Sequence, residues 1–269
     1  MIEGFYINLR GSEERKNAIQ ACINEASPNF NISRFNGIYG SDASISNPHL
    51  THGQWGCYLS HTLLIQNNLN SQNHLLIIED DSHFNKSINL ISEKIEKLDD
   101  SWDIIYLDAT LVEIEDQLLF SRKIIEEKNK SKDILNIEKI PSTATIYGTH
   151  CYLINKSSIN KIHKILLNNA MTGLPIDNVL SAAIQEGKIT AHITLPFLTA
   201  PSEASMISTI NTSEHPLLRG WIELRHSMSI HESNANKLIN VIKKNILDRL
   251  EFNFLEKFQP YAGKISKLI

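Results

Sequence analysis

An apolar run that ends in three acids constrains this chain more than any other stretch: His74 to Phe84 reads His-Leu-Leu-Ile-Ile-Glu-Asp-Asp-Ser-His-Phe. A short apolar, β-branched segment between polar residues predicts a buried strand. In an open α/β sheet such strands empty at their carboxyl ends into the ligand crevice. Glu79, Asp80 and Asp81 stand at that end. Alternation along an extended strand sends Glu79 and Asp81 one way and Asp80 the other. Adjacent carboxylates repel unless water or a cation stabilises them, and oxygen ligands of this kind suit Mg²⁺ or Mn²⁺. Asp81, aided by Glu79, is the candidate metal site; a solvated acidic strand end is the plainer alternative.

A chain of 269 residues with 42% hydrophobic content can bury the core such a sheet needs. Its formal net charge of −4 gives no general attraction to polyanions, so a nucleic-acid partner is not expected. Cys22, Cys57 and Cys151 lie far apart, without the paired spacing of a disulfide framework or a cysteine-rich zinc site. The start of the chain lacks a basic region followed by a signal-length apolar core, and no run approaches transmembrane length. A cytoplasmic location is the expectation.

Upstream, Gly4 to Leu9 predicts a strand and Ser12 a cap for a helix to about Glu25, with Glu13 and Glu14 favourable at its positive end. Arg15 sits either near a bound phosphate or on an ordinary exposed helix face. Phe30 to Ile38 predicts a second strand, and Tyr39 to His52 a binding loop. In the helix that follows, Gly53, Gly56 and Ser60 form a smooth face open to close approach, while Trp55, Leu59 and Leu63 supply the core side. His61 on that helix either orients an anion or packs. Ser60 has no evident base and is not expected to be a nucleophile.

Downstream, Asp103 to Ala109 predicts a strand beside the acidic one, with Asp108 at its end as a site acid or a turn former. Residues 111–140, rich in Glu, Lys, Asn and Ile, suggest a peripheral insertion of hairpin or short helix with a solvated charged face. Gly148 within the strand of Ala144 to Asn155 suggests a bulge or a close backbone approach. Pro175 opens another helix, whose Asp177 either stabilises the helix start or projects into the cleft as a general base. After a last strand from Ile189 to Leu195, Pro196 to Thr212 forms a long loop. From Leu217 on, Leu238, Ile239, Ile242, Ile246 and Leu250 make a helical stripe flanked by lysines, able to pack, to dimerise or to rest on an anionic membrane surface. The expected organisation is a catalytic domain over 1–212 and a helical extension over 213–269.

In order along the chain, Tyr6-Ile-Asn-Leu with Arg15, Gly56-Cys57 with Ser60-His61, Ile77-Ile-Glu-Asp-Asp, Trp102-Asp-Ile-Ile-Tyr, Gly148-Thr-His-Cys-Tyr-Leu-Ile and Pro175-Ile-Asp resemble glycosyltransferase family 25. That family includes lipooligosaccharide and collagen galactosyltransferases. The resemblance spans about residues 2 to 210; His150 before Cys151-Tyr152 departs from the usual pattern. It implies an α/β fold of GT-A type, with a mixed central sheet flanked by helices. It also implies a nucleotide-sugar donor such as UDP-galactose or UDP-glucose, inverting transfer, and Mn²⁺ or Mg²⁺ held by Glu79 and Asp81. Asn8, Arg15, Ser60, His61 and Asp80 are then expected around the donor, with Asp177, and after it Asp108, as the base. The acceptor is a saccharide, glycolipid or protein hydroxyl, as in lipopolysaccharide biosynthesis, with peripheral contact at the cytoplasmic face of the inner membrane through the C-terminal helices. The competing expectation is a degenerate nucleotide-sugar binder that lacks a working base.

Overall fold

The computed structural model describes residues 1–99, 101–130, 135–202, 218–230 and 234–251. The first half runs β1 (Ile2–Leu9), α1 (Glu13–Ala26), β2 (Asn31–Gly37), α2 (His52–Asn67), β3 (His74–Glu79), β4 (Ser82–Phe84), α3 (Leu90–Ile95) and β5 (Ile104–Leu111). Then come α4 (Ile114–Lys130), β6 (Asn136–Lys139), β7 (Ile146–Ile154), α5 (Ile159–Asn169), α6 (Ile176–Gln185), β8 (Ala191–Leu195), β9 (Thr199–Pro201), α7 (Leu218–Met228) and α8 (Ala235–Glu251). The main sheet has the order β2-β1-β3-β7-β5-β8-β6, and β4 pairs with β9 in a separate ribbon. β1, β2, β3, β5 and β8 share one direction; β7 and β6 run against them. The sheet is therefore mixed and flanked by helices on both faces, as expected.

The central strands are apolar on both faces because both faces are covered. Leu75 and Ile77 of β3, Ile104 and Tyr106 of β5, and Tyr152 and Ile154 of β7 enter one core with α2, α4, α5, α6 and α8. Their alternates Leu76, Ile78, Ile105, Leu107, Cys151 and Leu153 enter the other, with α1 and α3. At about 25 cal/mol per Å² of apolar surface buried, each of these side chains contributes on the order of 2 kcal/mol.

Several local expectations are corrected. β5 does not lie beside β3, because β7 inserts between them antiparallel to both. The 111–140 stretch is less peripheral than its charge suggests: α4 buries Ile114, Leu118, Phe120 and Ile124, and β6 closes an edge of the main sheet. On α2, Leu63 is 37% exposed while Tyr58, His61, Leu64 and Ile65 are buried, since the Gly56 side is itself covered by the 38–40 loop. Ser12 stands at the start of α1 without a side-chain capping bond; its carbonyl instead accepts from Asn8 Nδ2 at 3.1 Å. Of the 196–212 loop, the described part is tied down, with Phe197 and Leu198 buried and β9 paired with β4; residues 203–212 lie outside the described residues.

In α8, Leu238, Ile242 and Ile246 are buried against α4 and α7, so that part of the tail packs. Leu250's side chain and residues 252–269 lie outside what is described. Among the described residues, no helix is long and apolar enough to cross a membrane.

Candidate active site

β1 leads through α1 to β2 on one side, while β3 lies on β1's other side, so the loops leaving β1 and β3 diverge. Divergence at the carboxyl ends of parallel strands leaves a crevice. A cleft of about 690 Å³ opens there, and Arg15, His61, Asp81, His150, Asp177 and Arg225 are among its lining residues. Two glycines allow the wall nearest α2: a Cβ on Gly56 would stand 2.5 Å from the Ile38 carbonyl oxygen, and one on Gly40 would collide with that of His52. Ser60 completes this wall, receiving the Ile38 N–H at 2.8 Å and donating to the Gly56 carbonyl at 2.6 Å. The smooth face of α2 thus admits backbone, and the Ser60 hydroxyl positions the loop from within.

The three acids divide as alternation predicts, although β3 ends at Glu79 and the two aspartates form the turn into β4. Asp80 turns toward α1, accepting from Asn8 Nδ2 at 2.7 Å and Arg15 Nη1 at 3.1 Å. Arg15 is therefore an anchored site residue, 3.7 Å from Asp81 as well. Glu79 and Asp81 join His150 in a group whose potential ligand atoms lie within 4.8 Å of one another. The Ser202 N–H donates to the Asp81 carbonyl at 2.7 Å, and the Ser82 hydroxyl to the His150 carbonyl at 2.9 Å, so the β4-β9 ribbon clamps the turn.

Burial tends to raise the Glu79 carboxyl, yet His61, the His150 charge and the Thr149 hydroxyl outweigh it and hold the group below the usual carboxylate range. For Asp81 burial wins and its pKa is raised, the His150 and Arg15 charges only partly offsetting it while Glu79 and Asp80 add to it. Its Oδ1 is buried and, among the described residues, without a hydrogen-bond partner, and so is His150 Nδ1. A buried carboxylate oxygen left unpaired costs free energy unless a cation or proton meets it. Two carboxylates and an imidazole fit a divalent ion, and the imidazole favours Mn²⁺ over Mg²⁺.

Asp177, in the first turn of α6, lines the same cleft. Gly148 has φ +94°, a conformation open to glycine, and its N–H points at Asp177 Oδ2 at 3.1 Å; the Asn178 N–H meets Oδ1 at 3.0 Å. β7 and β5 shift register here, the irregularity Gly148 suggests. Burial raises the Asp177 carboxyl, and the two N–H bonds only partly counter it. A raised, oriented carboxylate is suited to accept a proton.

Asp108 has another role. It is 0% exposed, and both its oxygens are taken by Arg225 of α7, from Nε at 2.6 Å and from Nη2 at 2.5 Å. It is absent from the cleft lining, in which Asp177 is present. Arg225 reaches the cleft with Nη1 3.5 Å from His150 Nε2. Sequence reasoning missed His150 and Arg225 as site residues. For His150 the signal was slight, its place in the Gly148-Thr-His-Cys-Tyr stretch; the pairing of Cys151 with Ile78 is what brings it beside Glu79. For Arg225 there was none.

Three acids at a topological switch point thus stand in one cleft with the oriented Asp177 carboxylate. A family model described as glycosyltransferase family 25 (LPS biosynthesis protein) matches residues 1–180, and the chain belongs to that family. It is a glycosyltransferase. No curated protein sequence matches it. Among solved structures it is similar to mouse xyloside xylosyltransferase 1 in its apo form, at 8% identity over 72% of this chain and 85% of that one, with a TM-score of 0.41. A protein from Bacillus anthracis assigned as a glucose-1-phosphate thymidylyltransferase, in complex with a sucrose, is similar at 12% identity over 80% and 98% of the two chains, with a TM-score of 0.38.

Proposed function

We propose that this glycosyltransferase is an inverting, divalent-metal-dependent hexosyltransferase of GT-A type, with UDP-galactose or UDP-glucose as donor and a saccharide, glycolipid or protein hydroxyl as acceptor. The observation that carries the reading is the unpaired, buried Asp81 Oδ1 within the Glu79, Asp81 and His150 group, beside Asp177 in one cleft. Those three side chains would hold Mn²⁺, which when bound supplies Lewis-acid stabilisation of the leaving diphosphate.

The chain's own residues do the rest. Asp177 takes the proton from the acceptor hydroxyl while the acceptor oxygen attacks the anomeric carbon opposite the departing group. The new C–O bond forms as the bond to the nucleoside diphosphate breaks, without a covalent intermediate. Arg15, held by Asp80, and Arg225, held by Asp108, present fixed positive groups to the phosphates. Asn8 locks Asp80 from behind. The proposed setting is the cytoplasm, at the inner face of the membrane where the acceptor is a lipid-linked saccharide; the family's description as an LPS biosynthesis protein supports it.

The test is a panel of nucleotide sugars incubated with chelator-treated protein, with and without Mn²⁺. Release of nucleoside diphosphate with Mn²⁺ alone is the expected result. Donor binding without release makes the chain a degenerate binder, and release of inorganic phosphate makes it a phosphoryl-transfer enzyme.

A further inference from the structure

The cleft holds a second set of ligating side chains, of which the transfer chemistry uses only Glu79. Cys57 and His61 stand four residues apart on α2, one turn along the same face. Their ligand atoms and a Glu79 carboxylate oxygen lie within 4.8 Å of one another. The set mixes one thiol with groups from two elements, so cysteine spacing gives no sign of it.

His61 is the second observation. It is 1% exposed, and among the described residues its Nε2 has no hydrogen-bond partner, although it stands 3.4 Å from Glu79 Oε1. Two ligand atoms on a tetrahedral zinc ion, each about 2.0–2.1 Å from it, are roughly 3.3 Å apart. The other ring nitrogen, Nδ1, lies 2.8 Å from the Tyr152 hydroxyl, and the two rings stack at 5.7 Å. Such an outer partner fixes the ring and leaves Nε2 as the ligand. The Thr149 hydroxyl donates to the same Glu79 Oε1 at 2.6 Å.

Donor chemistry separates the two sets. Sulfur, nitrogen and oxygen suit Zn²⁺; two carboxylates with one imidazole suit Mn²⁺. Glu79 belongs to both, so the two ions compete for it. We propose that Cys57, His61 and Glu79 form a zinc site overlapping the transferase's metal centre, through which Zn²⁺ inhibits transfer by withdrawing Glu79. Binding forms a zinc–sulfur bond, the Cys57 thiol proton passes to solvent, and no atom changes oxidation state. The inhibition rests on the proposed function; the zinc site does not.

Chelator-treated full-length protein is titrated with Co²⁺, a spectroscopic stand-in for Zn²⁺. A thiolate-to-cobalt absorption band is expected in the wild type, bleached by added Zn²⁺ and missing from Cys57→Ser of matched melting temperature. Zn²⁺ should also shield Cys57 of the wild type from iodoacetamide, read by peptide mass spectrometry, which needs no variant. No band, a band that survives in Cys57→Ser, or unprotected alkylation overturns the site. Under fixed Mn²⁺, Cys57→Ser should need at least about tenfold more Zn²⁺ for half-inhibition of its own rate; equal sensitivity overturns the inhibition. A Co²⁺ band in an enzyme indifferent to Mn²⁺ would sink the metal-dependent reading of transfer and leave the zinc site standing.

Discussion

The two ends of the central sheet each bury an aspartate, and they treat it in opposite ways. Asp103, before β5, is 10% exposed, and Asp81, after β3, is 14% exposed, so solvent access does not separate them. Asp103 accepts from the Ser158 hydroxyl at 2.5 Å, Lys161 Nζ at 2.6 Å and the Thr190 N–H at 2.8 Å. Among the described residues the Asp81 carboxylate has Arg15 at 3.7 Å and one oxygen unpaired. Burial works to raise both groups; the bonds to Lys161, Ser158 and Thr190 reverse it for Asp103, whereas for Asp81 it prevails. An acid with both oxygens met stabilises the fold, and one left incomplete awaits a ligand.

The largest test of that contrast is Asp81→Ala. Metal-assisted charge stabilisation is worth several kcal/mol, so turnover should fall by about 10⁴-fold. The melting temperature of the metal-free chain should hold or rise, because an unpaired buried carboxylate is removed. A variant that keeps its turnover and loses stability would place Asp81 with Asp103 and end the comparison.

Asp108 lies inside β5, three residues before its last, so it is not the strand-terminal acid expected, and it behaves as a structural acid near the functional end. Asp108→Asn breaks a buried pair and should cost about 3–5 kcal/mol in denaturant unfolding. Turnover per folded molecule should fall too, since Arg225 loses its anchor. Full turnover in the folded fraction would remove Arg225 from the site.

Asp177→Asn probes the functional end without touching the acid group. Donor affinity should hold and kcat fall by about 10²- to 10⁴-fold, with stability changed by no more than about 1 kcal/mol. If kcat survives here, Asp177 only stabilises the start of α6 and is not the base.

What could be read from the sequence follows from how local the cause is. β3 was legible because burial on both faces writes an uninterrupted apolar run, and Asp177 because Pro175 marks a helix start. The division of Glu79 and Asp81 from Asp80 followed from alternation. The strand order did not, because β7 reaches its place between β3 and β5 from some forty residues downstream of β5, with α4 and β6 in between. α4 hid its buried face behind a charged composition. The site's nitrogen-bearing half depends on pairings remote in sequence: His150 comes to Glu79 through the β3-β7 register, and Arg225 arrives only when α7 docks on β5 and β9.

The smallest expected effect sharpens the contrast from the structural end. Asp103→Asn keeps the shape of the side chain but loses the charge that Lys161 meets, with Lys161 itself 46% exposed. Three bonds to a charged acceptor, one of them to a partly solvated ammonium, make a loss of about 2 kcal/mol at pH 7 reasonable. The sign with pH follows from the lowered folded pKa: the stabilisation is complete above the unfolded aspartate value of about 3.9 and disappears as pH falls through the folded value. Denaturant unfolding of wild type and variant from pH 7 down to pH 2 should therefore show a gap that narrows below about pH 4, with turnover at pH 7 unchanged in the folded fraction. A gap constant across that range would mean the variant suffers from packing and not from charge. A loss of turnover would mean that the two ends of the sheet are coupled, and the division between them would fail.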